Sequence, residues 1–533
     1  MNLNGKIFSI FISMTMYINF SHAQFQPVLN LNEINGNNGF VINGTNEDDK
    51  FGTSVSYAGD INADGIDDFI IGSPFAESNG MAFSGKSYVI FGNNLGYPNP
   101  FELSNINGKN GIIINGTGVD EASGLSVSNA GDFNNDGIDD LIIGAGFGDS
   151  YSGRFYIIFG NTSQFPTPFD LSSINGLNGI VISGANDFDQ LGADAPVSSV
   201  GDTNNDGIDD IIIGAGYASP NNIFGAGSSY VVFGSNTKLP NPLELSSLNG
   251  NNGIIINGVN NGDVSGKSVS NAGDINSDGI DDFIIAAPAT DTNGVSGSGS
   301  TYLIYGSDLG FTSPMELSSI NGSNGIVING ANRFDFSSNS ISNAGDFNGD
   351  GFDDLIIGAE LADPNDVNAS GSCYVIFGSD SGLSSPLNLS SINGSNGIVI
   401  NGANRFDHLG SSVSNAGDVN GDNIDDIIIG ASSAAPNDIN QAGSVFVIFG
   451  SKSLFSSPIN ISSINGRNGF VINGVNADDN IGRSVSTAGD INGDGINDLI
   501  IGVASADPND NSNSGSSFII FGNDGVFSND FEQ

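Results

Sequence analysis

Short runs of β-branched and aromatic residues alternate with clusters of Gly, Asn, Asp and Pro along the chain. In one representative unit, four such runs predict strands at residues 411–416, 427–430, 444–449 and 469–474. No window places apolar residues at helical spacing over ten or more positions. The pattern therefore predicts an all-β protein with tight turns between short strands.

The same unit recurs seven times, and this repetition predicts how the strands assemble. The string Gly-Asp-x-Asn-x-Asp has its first Asp at positions 60, 132, 202, 274, 346, 418 and 490. Two further strings, Asn-Gly-Ile-Val-Ile-Asn-Gly and Tyr-Val-Ile-Phe-Gly with their variants, recur with nearly the same period. Seven four-stranded units of this length are typical of a β-propeller in which each small sheet forms one blade.

A flat solenoid of stacked repeats is the alternative, but it needs polar capping repeats, which neither end of the sequence supplies. The strand order favours a ring. The first predicted strand, residues 38–44, is of the kind that follows the Tyr-Val-Ile-Phe-Gly strand in every internal unit, and the last predicted strand is residues 518–521. We therefore predict a seven-bladed β-propeller of four-stranded antiparallel blades, closed by the N-terminal strand pairing into the last blade.

Residues 1–23 differ from the repeats. A single Lys6 precedes an apolar run at residues 7–18, and Ser21-His22-Ala23 ends with small residues at the positions a signal peptidase reads. This pattern predicts a secretory signal peptide. A transmembrane helix is the alternative, but the run is shorter than the ~20 residues that a membrane span needs. Residues 24–533 are predicted to form a single propeller, located outside the cell, on its surface or in a periplasm.

Composition excludes several classes of function. The chain has 12 Lys+Arg against 59 Asp+Glu, a formal net charge of −47, which disfavours binding to nucleic acid or to an anionic membrane surface. It has two histidines and one cysteine, Cys373. An intrachain disulfide and a Cys/His zinc site are therefore excluded.

Each unit carries the acidic string Asp-x-Asn-x-Asp-Gly-x-Asp-Asp, or a close variant, between its first two predicted strands. These loops span residues 60–68, 132–140, 202–210, 274–282, 346–354, 418–426 and 490–498. Side-chain oxygens at positions 1, 3, 5 and 9, with a backbone carbonyl at position 7, suit Ca²⁺, which accepts six to eight oxygen ligands. We predict up to seven structural Ca²⁺ ions, one per blade. The alternative, solvated turns without an ion, needs no carboxylate at positions 1, 5 and 9.

The predicted metal ligands are the residues at these five positions of the seven loops: Asp60, Asn62, Asp64, Ile66, Asp68, Asp132, Asn134, Asp136, Ile138, Asp140, Asp202, Asn204, Asp206, Ile208, Asp210, Asp274, Asn276, Asp278, Ile280, Asp282, Asp346, Asn348, Asp350, Phe352, Asp354, Asp418, Asn420, Asp422, Ile424, Asp426, Asp490, Asn492, Asp494, Ile496 and Asp498. In the sixth loop Asn423 replaces the glycine of position 6. Asn tolerates the left-handed conformation moderately well, so a weaker site is expected there.

The unit resembles the FG-GAP repeat of the integrin α-subunit head. The first half of that motif occurs as Phe51-Gly52, Leu191-Gly192, Leu409-Gly410 and Ile481-Gly482, and the second half as Gly72-Ser73-Pro74 and Ala286-Ala287-Pro288. The resemblance covers residues 35–522 and implies a seven-bladed propeller with calcium in its acidic hairpins. The leg domains, transmembrane helix and β-subunit partner region of integrins have no counterpart here.

The resemblance implies an adhesion or ligand-binding module whose partner is an extracellular protein or glycan. Integrin-like propellers bind through the face opposite the calcium hairpins. That face is built by the loops between second and third strands, residues 75–85, 146–153, 217–227, 289–299, 360–371, 432–443 and 504–515, which vary most among the units. Neither a nucleic acid partner nor a membrane span is expected.

An extracellular polysaccharide-degrading enzyme, similar to a lyase, is the alternative function. It would need a base and a charge-neutralising group that converge in a cleft. His408 is interpreted as incidental, because other units have Phe336 and Asn480 at its position. Arg333 and Arg405 fit either an acidic partner or ion pairs with their neighbouring Asp. Cys373 is interpreted as a half-buried filler, and no catalytic residue is predicted.

Overall fold

The computed structural model describes residues 25–147, 152–185, 196–380 and 382–523, so the predicted signal peptide lies outside the described residues. The described chain forms seven sheets, each built on an acidic loop, and we number the blades 1 to 7 by those loops in chain order. The first strand of each blade contacts the first strands of both neighbouring blades, and that of blade 7 contacts that of blade 1. The predicted seven-bladed propeller is confirmed, and the solenoid alternative is wrong.

The four main strands of each blade are antiparallel neighbours in the order first, second, third, fourth, and the first strand lies nearest the axis. The first strands are Val55–Gly59, Ser123–Gly131, Val197–Gly201, Val269–Gly273, Ile341–Gly345, Leu409–Gly417 and Ser484–Gly489. The second strands are Asp68–Ser73, Asp140–Ala145, Asp210–Ala215, Asp282–Ala287, Asp354–Ala359, Asp426–Ala431 and Asp498–Val503. The third strands are Lys86–Ile90, Arg154–Ile158, Ser228–Val232, Ser300–Ile304, Ser372–Ile376, Ser444–Ile448 and Ser516–Ile520. The fourth strands are Gly111–Asn115, Gly179–Ser183, Gly253–Asn257, Gly325–Asn329, Gly397–Asn401, Gly469–Asn473 and, for blade 7, Gly39–Asn43.

A short fifth strand, which the sequence pattern did not predict, joins the outer edge of blades 1 to 6 in parallel. The connection before the fourth strand of the next blade supplies it: Phe169–Asp170, Leu243–Glu244, Met315–Glu316, Leu387–Asn388, Ile459–Asn460 and Val28–Asn30 for blades 1 to 6. In blade 7 a single bridge from Ile42 to Phe101 takes its place. Neighbouring blades are therefore joined at the outer rim as well as by side-chain packing.

Single-turn 3₁₀ helices occupy two kinds of connection in the described chain. One kind precedes each fourth strand: Leu31–Glu33, Leu103–Asn105, Leu171–Ser173, Leu245–Ser247, Leu317–Ser319, Leu389–Ser391 and Ile461–Ser463. The other lies between second and third strands, at Pro220–Asn222, Pro364–Asp366, Pro436–Asp438 and Pro508–Asp510.

The N-terminal part of the described chain closes the ring. Gly39–Asn43 pairs antiparallel with Ser516–Ile520 in the register that places Val41 opposite Phe518. The preceding strand, Val28–Asn30, pairs in parallel with the fourth strand of blade 6. The predicted closure is confirmed, and it uses two N-terminal strands instead of one.

The core consists of seven apolar clusters, each shared by two adjacent blades. Successive side chains of a strand point to opposite faces, so Ile70 packs towards blade 2 and Ile71 towards blade 7. Both faces of the second strands are buried, which explains their unbroken apolar runs. Cys373 is fully buried, not half-buried as expected, and burial raises the pKa of its thiol.

Candidate metal centres and ligand-binding face

Each acidic loop is the hairpin between the first and second strands of its blade, as predicted. In blade 1 the first strand ends at Gly59, the loop begins at Asp60, and Asp68 at position 9 is the first residue of the second strand. The fixed spacing therefore places the position-9 carboxylate inside the sheet and positions 1 to 8 at its end.

The loop folds around the carboxylate of its first Asp. In blade 1 the two Asp60 oxygens accept hydrogen bonds from the N–H groups of Asp64, at 3.0 Å, and Gly65, at 2.8 Å. The Asp64 carboxylate accepts from the N–H of Ile66 at 3.1 Å. Equivalent bonds to the first Asp recur in the other six loops. Positions 1 and 5 are thus held together by the local turn, as Asp side chains commonly do at turns.

Position 9 is a buried carboxylate in every blade. Asp68 is 0% exposed and accepts hydrogen bonds from the N–H groups of Gly92, at 2.8 Å, and Ile61, at 3.1 Å. Burial raises the pKa of Asp68 well above its ordinary value, and the neighbouring carboxylates of Asp64 and Asp60 raise it further. The six equivalents Asp140, Asp210, Asp282, Asp354, Asp426 and Asp498 are also 0% exposed, and burial raises the pKa of each.

The donor chemistry of these loops fits a divalent cation. The Asn62 amide lies 3.3 and 3.4 Å from the two oxygens of Asp68. Neighbouring oxygens around Ca²⁺ are about as far apart when each metal–oxygen distance is roughly 2.4 Å, and a turn of the amide presents its oxygen instead of its nitrogen. A bound cation would also stabilise the ionised form of the buried carboxylate.

Among the described residues, no three Asp, Glu, His or Cys side chains lie close enough together, in the conformations observed, to coordinate one metal ion. Binding would therefore require the carboxylates at positions 1 and 5 to turn towards position 9. The predicted ligand at position 7 is the carbonyl oxygen, whereas the bond to Asp64 uses the N–H group of Ile66. The ligand assignments remain predictions.

The sixth loop keeps the common conformation despite its substitution. Asn423 has a φ of 62°, in the left-handed region, and its N–H donates to Asp418 at 2.7 Å. The glycine at the same position of blade 1, Gly65, has a φ of 87° and makes the equivalent bond. The predicted left-handed conformation of Asn423 is confirmed.

The opposite face carries paired aromatic and cationic side chains. The guanidinium of Arg333 lies 4.5 Å from the ring centre of Phe334, and that of Arg405 lies 4.5 Å from the ring centre of Phe406. Both rings are 48% exposed. The neighbouring acid, Asp335, instead accepts a hydrogen bond from Asn332. The expected pairing of these arginines with their neighbouring Asp is replaced by cation–π contacts.

Charged residues from four blades converge near the start of the innermost strands on this face. Glu360 accepts a hydrogen bond from Asn339 at 2.9 Å. Burial raises the pKa of Glu360, while electrostatic interactions with His408, Arg483 and Lys267 act to lower it. Sequence comparison treated His408 as incidental because other units have Phe336 and Asn480 at its position, whereas the ring brings it near the other three residues.

A cavity of about 480 Å³ opens on the same face, between the connections that enter blades 1 and 2. It is lined by Asp48, Lys50, Phe75, Phe83, Asp120, Ala122 and Phe147. The rings of Phe75 and Phe83 meet edge to face with centres 6.1 Å apart. This part of the face is aromatic, whereas the Glu360 group is charged.

The FG-GAP repeat family model matches seven segments of the chain: residues 51–90, 123–158, 196–232, 265–304, 338–376, 409–448 and 481–520. The chain belongs to the FG-GAP repeat family. Each matched segment of this FG-GAP propeller begins before the acidic loop of a blade and ends in its third strand. The resemblance to the integrin α head is thus confirmed at the level of family and fold.

Two kinds of curated protein are similar to the FG-GAP propeller. Phosphatidylinositol-glycan-specific phospholipase D of Bos taurus is 33% identical over 196 residues, which are 36% of this chain and 22% of that protein. The Homo sapiens phospholipase D of the same name is 34% identical over 184 residues, 34% of this chain and 20% of that protein. Integrin alpha pat-2 of Caenorhabditis elegans is 31% identical over 250 residues, 46% of this chain and 18% of that protein. The matched regions span about a fifth of the length of these relatives.

Among the described residues of the FG-GAP propeller, no helix has the length and apolar character needed to cross a membrane.

Proposed function

We propose that this FG-GAP propeller is a secreted adhesion or ligand-binding module in which up to seven structural Ca²⁺ ions stabilise the ring. The observation that supports the calcium role best is the repeated burial of a position-9 carboxylate beside two further carboxylates of the same loop. An unpaired buried charge is costly, so a cation bound there adds stability on folding. Export follows from the predicted signal peptide at residues 1–23.

The calcium role is tested by counting ions. Asp210→Asn keeps the shape of the blade 3 position-9 side chain but removes its charge and replaces one accepting oxygen with an amide NH₂ group, so one fewer Ca²⁺ per chain is expected. Asp308→Ala is the matched control, because Asp308 is an exposed acid outside the acidic loops. Calcium bound per chain is measured by equilibrium dialysis and elemental analysis. Equal calcium content in both variants and the wild type would contradict the role of Asp210.

We propose that the ligand-binding surface is the face opposite the acidic loops. We also propose that the protein or glycan that binds there carries an acidic group. Support comes from the exposed Arg333–Phe334 and Arg405–Phe406 pairs and from the basic residues near Glu360. In a chain of net charge −47, such a group of cations is a local exception. Arginine and aromatic side chains are enriched where proteins bind their partners.

The binding proposal is tested with protein and glycan arrays, probed with and without chelator. Arg405→Ala is expected to weaken binding to an acidic ligand at least tenfold. Arg467→Ala changes an exposed arginine between the 3₁₀ turn Ile461–Ser463 and the fourth strand of blade 6, on the face of the acidic loops, and is expected to leave binding unchanged. Equal loss in both variants would contradict a specific site on the opposite face.

Extracellular polysaccharide degradation is the second candidate function. The specific observation in its favour is the group formed by Glu360, His408, Arg483 and Lys267, since acidic and basic groups that converge are what such chemistry requires. The expected activity is release of unsaturated products from an acidic polysaccharide. His408→Ala would abolish that activity, whereas Arg467→Ala would not. We rank binding first because integrin alpha pat-2 matches 46% of this chain, a longer stretch than the 36% matched by the Bos taurus phospholipase D.

A further inference from the structure

The eighth residue of each acidic loop is outside the predicted ligand set, yet it connects neighbouring blades. Asp139 is position 8 of the blade 2 loop. Its Oδ2 accepts a hydrogen bond from the N–H group of Asp60, the first predicted ligand of blade 1, at 2.8 Å. A side chain of one blade therefore holds the backbone of a predicted ligand in the preceding blade.

The same bond joins every neighbouring pair of loops. The N–H groups of Asp132, Asp202, Asp274, Asp346, Asp418 and Asp490 donate to Asp209, Asp281, Asp353, Asp425, Asn497 and Asp67, at 2.8, 2.9, 3.2, 2.9, 3.1 and 2.8 Å. The last of these bonds runs from blade 7 to blade 1. The seven loops thus form one closed ring of hydrogen bonds.

The second residue of a loop is held by the next blade as well. The carbonyl of Ile61 accepts from the N–H of Asn161 at 3.0 Å. Five further bonds of this kind involve the carbonyls of Phe133, Thr203, Phe347, Val419 and Ile491. The next blade thus fixes both the N–H of position 1 and the carbonyl of position 2, which together set the direction of the position-1 side chain.

The glycine before each loop makes room for the position-8 side chain. Gly59 has a φ of +74°, and a Cβ atom there would lie 2.3 Å from Oδ2 of Asp139. The other six glycines at this position, Gly131, Gly201, Gly273, Gly345, Gly417 and Gly489, meet the position-8 residue of the next blade in the same way. The Gly-Asp pair that opens every acidic loop is therefore explained by this contact, which any other residue would obstruct.

We propose that the position-8 residue of each blade is a positioning residue for the calcium site of the preceding blade. The inference rests on the proposed calcium role. Without its acceptor, the N–H of the first ligand loses a fixed partner, and the ligand must be ordered when the ion binds. Each calcium site is therefore built by two blades, and the blade 7 site depends on Asp67, beyond the junction of the two chain ends.

The test compares Asp139→Ala with Asp139→Asn in the full chain, by calorimetric calcium titration. Asp139→Ala is expected to weaken one site about tenfold. Asp139→Asn is expected to bind like the wild type, because Asn497 already fills this position with an amide oxygen. Weakening in both variants would indicate an effect of charge and would overturn the positioning role. If Asp139→Ala does not fold, Asp425→Ala tests the equivalent bond to Asp346.

A double-mutant cycle identifies the affected site. Asp60→Ala removes the first ligand of blade 1, and Asp132→Ala removes the first ligand of blade 2. Adding Asp139→Ala should cause no further loss in the Asp60→Ala chain but should weaken another site in the Asp132→Ala chain. The reverse pattern, or wild-type affinity in Asp139→Ala, would overturn this inference alone. A wild-type chain that binds no calcium would overturn the calcium role together with it.

Discussion

A pair of cysteines across the junction of the two chain ends should stabilise the ring more than the same pair inside a blade. Val41 and Phe518 are register partners in blade 7, and Val471 and Phe446 are the equivalent partners in blade 6. The Val41 N–H donates to Asn99, and its carbonyl accepts from Phe101, so both backbone groups point away from Phe518. Such a pair has a Cα separation of about 4.5 Å, which suits a disulfide.

The expected gain follows from the length of chain that each disulfide closes. The blade 7 pair encloses a loop of about 480 residues, and the chain-entropy relation gives about 6 kcal/mol. The blade 6 pair encloses about 26 residues, for which the same relation gives about 3.5 kcal/mol. Both pairs replace one Val and one Phe at equivalent positions. The difference of about 2.5 kcal/mol between the two stabilisation free energies therefore reports the effect of closing the ring.

The assay is guanidinium unfolding of each double-cysteine variant, oxidised and reduced, followed by circular dichroism. Cys373 is replaced by Ser, the residue at the equivalent position of blades 1, 3 and 7, so that only the engineered pair oxidises. The free energy of unfolding should rise on oxidation by more in the blade 7 variant. Failure of the Val41–Phe518 pair to oxidise, or a smaller gain than the blade 6 pair gives, would refute the closure.

Three further predictions concern single residues. Cys373 should not react with a thiol reagent until the chain unfolds, since it is fully buried; prompt reaction of the native protein would contradict its placement. Asn423→Ala should lower the free energy of unfolding by about 1 kcal/mol because of its left-handed backbone, whereas Asn423→Gly should change it by less than about 0.5 kcal/mol; equal effects on denaturant unfolding would argue against strain. Burial raises the pKa of Asp335 above its ordinary 3.8, so the folded state binds that proton more tightly than the unfolded state. Stability should therefore fall as the pH rises above about 4, and Asp335→Asn should flatten this slope in melting curves; an unchanged slope would contradict the burial.

The repeat made most of the fold predictable from the sequence. Seven copies of one strand pattern determine the number of blades, and the order of strands at the two ends determines how the ring closes. In blade 6 the predicted strand at residues 444–449 corresponds to Ser444–Ile448. Local turn chemistry also predicted the acidic hairpins, since the Asp-Gly spacing is sufficient to form them.

Contacts between blades were not predictable in the same way. The fifth strand consists of only two or three residues, too short for a recognisable pattern. The position-8 acids resemble any other Asp of the loop, and only the geometry of the ring shows that Asp139 reaches Asp60. The group around Glu360 draws on three positions of the repeat in four different units, so comparison of the units does not show that these residues meet.

The most direct test of the account is the calcium content of the purified chain, measured by elemental analysis after dialysis and paired with thermal unfolding before and after exhaustive chelation. The account predicts close to one bound Ca²⁺ per acidic loop, seven per chain, and a marked fall in melting temperature when they are removed. A chain that contains no bound calcium and melts at the same temperature with and without chelator would contradict it.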